Sequence, residues 1–148
     1  MALHLLRWFR SRDDADPAAR AGRGEQSFEA LLADIRQLND QERAGLARGL
    51  NILWDAFVGR FGGLDGLLRA DAVDRTAYLA ELQSAADEMR KSEALVRSRY
   101  ALSPHLMALY LQTLSRGHTS AVAREFGQAV ATLIDQGRKL RAFKGVRS

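Results

Sequence analysis

The residues best suited to metal binding or proton transfer in this 148-residue chain are three histidines, His4, His105 and His118, because the sequence contains no cysteine. Their spacing forms neither a His-Glu-x-x-His motif nor the paired Glu-x-x-His motifs of a di-iron bundle. His105 and His118 lie at opposite ends of one predicted helix, so a metal ion or haem held by both is not expected. We therefore predict no metal site, no cofactor and no disulfide.

Motifs for nucleotide binding and nucleophilic catalysis are missing from the sequence. It contains no GxxxxGK[S/T] phosphate loop, no GxGxxG fingerprint and no GxSxG elbow. The glycine-rich segment 62–66 follows a predicted helix rather than a strand, which favours a turn. A Ser-His-Asp arrangement stays open, because such triads are recognised by geometry. We expect a non-enzymatic protein and keep a catalytic or cofactor-binding bundle as the third hypothesis.

Positive charge is concentrated towards the two ends of the chain, which has a net charge of +4. The segment 102–148 contains only two acids, Glu125 and Asp135, among its basic residues. Basic side chains of this segment are candidates for phosphate contacts, and they are Arg138, Lys139, Arg141, Lys144 and Arg147. They support a nucleic-acid-associated protein as the alternative function. The simpler interpretation is ordinary solvated charge, because the segment 27–101 is nearly balanced.

The first ten residues form an amphipathic pattern that is typical of a short helix at a membrane surface. The candidate contacts to lipid or to a partner chain are apolar Leu5, Leu6, Trp8 and Phe9, with Arg7, Arg10 and Arg12 for lipid phosphates. The positive charge follows the apolar stretch, unlike in a secretory signal. Residues 11–26 have no large apolar side chain except the ring of Pro17 and predict a flexible linker.

Apolar residues from position 27 onwards recur with helical spacing. The pattern predicts helices over 27–39, 41–61, 72–101, 104–116 and 120–143, with a short helical turn at 64–68 and a basic tail at 144–148. The expected N-caps are Ser27, Asp40, Asp71 and either Thr119 or Ser120. No segment predicts a strand, and none is apolar enough to cross a membrane.

The long helix predicted over 72–101 would span ~45 Å and carries a narrow apolar stripe in which Glu93 is expected to point to the edge. Gly45 and Gly49 lie four residues apart and predict a tight packing position between helices. Since the predicted connections are short, we expect an all-α, antiparallel four- to five-helix bundle over 27–143.

The leading functional hypothesis is a non-enzymatic helical interaction or assembly module. Its partner would be another protein or a second copy of the chain, because helix–helix association needs no special residue type. We expect a bacterial, cytoplasmic protein, held at the inner membrane surface by residues 1–10 if that segment binds anionic lipid. The alternative to such anchoring is packing of the segment on protein.

Overall fold

The computed structural model describes residues 28–117 and 120–147, with side chains described as far as residue 142. All regular secondary structure within these ranges is helical, so the protein is all-α. The helices are α1 (28–36), α2 (Asp40–Phe61), α3 (Leu64–Arg69), α4 (Ala72–Met89), α5 (Glu93–Arg97), α6 (Ser103–Arg116) and α7 (Ala121–Arg147), with a 3₁₀ turn at Tyr100–Leu102. No helix in the described part is long and apolar enough to cross a membrane.

Local capping interactions determine where several helices begin. Asn39, rather than the predicted Asp40, caps α2: its Oδ1 accepts from the Glu42 N–H at 2.8 Å, and the Glu42 carboxylate accepts from the Asn39 N–H at 3.1 Å. The preceding helix was predicted to reach residue 39. It ends at residue 36, before this reciprocal capping box begins. The caps predicted at Asp71 and Ser120 are confirmed, while Ser27 lies outside the described residues.

The single helix predicted over 72–101 is wrong. The chain leaves the helical path after Met89, and the Ser92 hydroxyl accepts a hydrogen bond from the Leu95 N–H that starts the short helix α5. Arg99 then adopts a left-handed backbone conformation, with φ of 67°. Helical periodicity continues through both breaks, so the apolar stripe alone could not reveal them. Glu93 is strongly exposed on α5, which agrees with the prediction that it points to the edge of the apolar stripe.

Two glycines of α2 allow the chain around Ser98 and Ser103 to pack closely against that helix. The Ser98 carbonyl occupies the space where a Cβ on Gly45 would lie. The Ser103 side chain likewise occupies the space where a Cβ on Gly49 would lie. The tight packing predicted at Gly45 and Gly49 is therefore confirmed, and its partners are Ser98, which follows α5, and Ser103, the first residue of α6.

Helix α2 is central to the packing, and its most extensive contacts are with α7. The largest fully buried side chains come from α2, α6 and α7, and include Leu46, Leu50, Phe57, Leu106, Met107, Leu109, Phe126, Val130 and Leu133. Helix α1 is attached to α7 by the rings of Phe28 and Phe126, whose centroids are 5.0 Å apart. These residues belong to one apolar core, which predicts a single cooperative unfolding unit.

The direction of packing is not antiparallel at every helix pair. Gly49 of α2 meets Ser103 at the start of α6, and Trp54 meets Tyr110 further along, with ring centroids 5.8 Å apart. These contacts advance in the same direction along both helices. The antiparallel order of the bundle as a whole stays a prediction. Helix α7 continues through residues 144–147, which the sequence pattern assigns to a basic tail.

Candidate functional site

The histidines do not form a metal site in the described part of the chain, where no group of three His, Asp or Glu side chains is arranged to hold an ion. His105 lies in the first part of α6, and burial together with the positive charge of Arg90 lowers its pKa. A lowered pKa keeps the imidazole neutral near pH 7. His4 and His118 lie outside the described residues, so the predicted separation of His105 and His118 is not tested.

The basic residues predicted to contact phosphate are divided between two environments. Arg138 and Lys139 both approach Asp135 on the exposed side of α7, at 3.7 and 3.1 Å. Arg141 instead faces α2. The side chains of Lys144 and Arg147 lie outside the described residues, as do all seven candidate contacts between Leu5 and Arg12. Phosphate and lipid binding by these residues stay predictions.

Arg141 connects α7 to α2 through a polar contact that sequence reasoning missed. Its Nη1 donates to Asn51 Oδ1 at 2.7 Å and to Asp55 Oδ2 at 2.8 Å. Asn51 is only 1% exposed, and its Nδ2 has no hydrogen-bond partner. A phosphate at Arg141 would have to compete with the Asp55 carboxylate. The one signal in the sequence is an asparagine inside an apolar run, between Leu50 and Ile52.

An aromatic cluster joins α2 and α4. Phe57 lies in contact with Tyr78, and Phe61 meets Tyr78 edge-on, with centroids 5.2 Å apart. Arg60 covers both the Phe61 and the Tyr78 ring and pairs with Glu81 at 2.6 Å. Burial raises the pKa of Tyr78 to about 12, so this phenol stays neutral across the physiological range. The cluster accounts for most of the aromatic content of α2 by packing.

One face of α2 is not covered by the rest of the described structure. Ile52 is 43% exposed, Ala56 is exposed, and a Cβ added at Gly59 would meet nothing within 4 Å. These three residues have the spacing i, i+4, i+7 and therefore share one side of the helix. We call them the open α2 face. Arg48 and Asp55, which is paired with Arg141, lie beside the open α2 face. This apolar face therefore has charged residues at its edge.

A cavity of about 230 Å³ lies between α3, α4 and α6. Its apolar walls include Leu67, Leu79, Ala108 and Leu111, and Tyr78 also lines it. The sequence pattern gave no sign of this cavity, because each of these residues belongs to an ordinary helical stripe. It is the second feature of the described structure that a ligand or partner could use.

Comparisons with known proteins provide no functional parallel: no family model matches the chain, and neither a curated protein nor a solved structure is significantly similar to it.

Proposed function

We propose that the protein is a non-enzymatic helical interaction module that docks another helix on the open α2 face. The observation that carries this proposal is the exposure of Ile52, a large apolar side chain, in the middle of the central helix of the core. Isolated exposed apolar residues are common. Ile52, however, lies on the same side of α2 as two small residues, Ala56 and Gly59. This combination leaves an exposed strip of α2 with little side-chain bulk beside Ile52.

Small side chains favour docking because they let two helix backbones approach closely. A partner helix lying along Ala56 and Gly59 could place its own apolar side chains where those two residues leave space. Ile52 would be buried in the same step, and Arg48 and Asp55 would remain at the rim. An apolar centre with a polar rim is the usual anatomy of a specific interface. The partner helix belongs to a second copy of the chain or to another protein.

Site-specific photocrosslinking tests this proposal, because the probe captures any partner that docks within its reach. A benzophenone amino acid at position 52 should give a covalent adduct in the native host. The matched control is the same probe at position 73, because Val73 is 76% exposed but lies on α4. An adduct of twice the chain mass would identify self-association, and any other discrete mass a different partner. No adduct at position 52, or an identical adduct at position 73, would reject the docking face.

A charge substitution provides the second test. Ile52→Asp should abolish the adduct formed from a probe at position 56, since docking would bury an unpaired carboxylate. Because Ile52 is exposed, the variant should change the free energy of unfolding by only about 0.5 kcal/mol or less. Val73→Asp is the matched control and should leave the adduct intact. Equal adduct yields from both variants would contradict the proposal.

We also propose that residues 1–12 hold the protein at an anionic membrane surface. The support is the sequence pattern alone, with Trp8 and Phe9 on the apolar side and arginines for lipid phosphates. Replacing both aromatic residues with serine should abolish flotation of the full-length protein with phosphatidylglycerol vesicles and leave its thermal stability unchanged. Unchanged flotation would reject the anchor, and a large loss of stability would show that the segment belongs to the folded core.

A further inference from the structure

We infer that the cavity between α3, α4 and α6 binds an amphipathic monocarboxylate, with its hydrocarbon part inside and its carboxylate on Arg75. This inference goes beyond the proposed docking function, because the cavity and the open α2 face share no residue. It is a small-molecule site rather than a helix-docking surface. Its support comes from the size of the cavity, its apolar walls and the guanidinium of Arg75 in its lining, which is unpaired in the described part of the chain.

The volume suits a short chain or a single ring. At about 230 Å³, the cavity is larger than the roughly 150 Å³ that admits benzene and smaller than the roughly 300–1,000 Å³ of drug-sized sites. Leu67, Leu79, Ala108 and Leu111 provide apolar walls. An alkyl chain of about six to eight carbons fills such a space without requiring the helices to separate.

The charge of the lining selects an anion. Arg75 and Arg116 both line the cavity, and no acidic side chain does so in the described part of the chain. Arg75 is exposed, and no described residue forms an ion pair with its guanidinium. A guanidinium binds a carboxylate through two parallel hydrogen bonds, which orients the ligand as well as attracting it. A cationic amphiphile would be repelled by Arg75, and a neutral one would form no ion pair with it.

The experiment is an amide NMR titration of the full-length protein with octanoate. Saturable shifts should be confined to the segments around residues 75–79 and 108–112. Hexanoate and heptanoate should bind progressively more weakly, by about fourfold for each CH₂ removed, which corresponds to about 0.8 kcal/mol. 1-Octanol and octylammonium serve as head-group controls of equal chain length, and both should bind at least tenfold more weakly than octanoate if a charge-assisted pair forms.

Two variants separate the charge from the cavity. Arg75→Gln should weaken octanoate binding about tenfold, while Arg69→Gln, an exposed arginine of α3 outside the cavity, should not. Leu79→Phe should remove binding by filling the space, with unchanged far-UV circular dichroism as the folding control. Absence of saturable shifts, equal binding of octanol and octanoate, or equal effects of the two arginine variants would overturn the inference.

Discussion

Replacing Gly137 with alanine should destabilise this protein, although alanine is the better helix former. A Cβ at Gly137 would overlap the carbonyl of Ala47 on α2 and would lie 2.9 Å from the Asn51 Cβ. Main-chain groups cannot rotate aside as a long side chain can. Helices α2 and α7 would therefore have to separate at their most extensive interface.

The size of the effect follows from two opposing contributions. Overpacking a close-packed core costs about 1–3 kcal/mol. Because the group in the way at Gly137 is a main-chain carbonyl, the cost there should be near the upper limit of that range. The helix propensity of alanine offsets about 1 kcal/mol of that cost. The net loss in the free energy of unfolding should be about 2 kcal/mol. For a chain of this length, that loss lowers Tm by about 4–8 °C.

Gly59→Ala is the matched control for this prediction. It makes the same substitution inside a helix, but at an exposed position with open space around the new methyl group. The control should raise the free energy of unfolding by about 1 kcal/mol and Tm by about 2–4 °C. Urea denaturation followed by far-UV circular dichroism measures both variants. If Gly137→Ala were as stabilising as Gly59→Ala, the close approach of α2 and α7 at Gly137 would be refuted.

Two pH-dependent predictions follow from the shifted pKa values. The hydrogen bond from the Asn39 N–H, assisted by Arg99, lowers the pKa of Glu42. The contribution of the Glu42 carboxylate to stability is therefore present above the ordinary pKa near 4.5 and is lost as pH falls through the lowered pKa. The stability difference between wild type and Glu42→Gln should therefore be largest near neutral pH and disappear in acid; a difference that persists in acid would contradict this assignment. Burial raises the pKa of Tyr78 to about 12, so its contribution is fully present below pH 10 and is lost as pH rises through about 12. Tyr78→Phe should reduce the alkaline loss of stability measured by urea denaturation, and an unchanged loss would show that this phenol is not the group responsible.

The helical class and several helix boundaries could be predicted because they depend on neighbours in the sequence. Asp71 and Ser120 cap their helices through hydrogen bonds to backbone groups three residues away. Gly62 ends α2 with a φ of 78°, a conformation that glycine adopts without a Cβ penalty. Even the misplaced cap at Asp40 was wrong by a single position, because Asn39 and Asp40 are both good capping residues.

The candidate sites could be predicted far less well, because each depends on residues that are distant in the sequence. Arg141 was predicted as a phosphate contact, and the pattern gave no indication of Asn51 and Asp55, to which it donates hydrogen bonds in the fold. The open α2 face could not be recognised either, since Ile52 continues the same apolar run as the buried Leu50. Only the placement of the surrounding helices decides which of those neighbours is covered.

The sequence by itself determined the all-α class, the capped starts of α4 and α7, the glycine that ends α2 and the glycine spacing that permits close packing on α2. These features depend on hydrogen bonds and sterics within a few residues of one another. The tertiary structure alone decided the partners of Arg141, the exposure of Ile52 and the cavity beside Tyr78. The physical reason is that an apolar stripe states only that a face is buried, whereas what covers that face depends on contacts between helices that are remote in the chain.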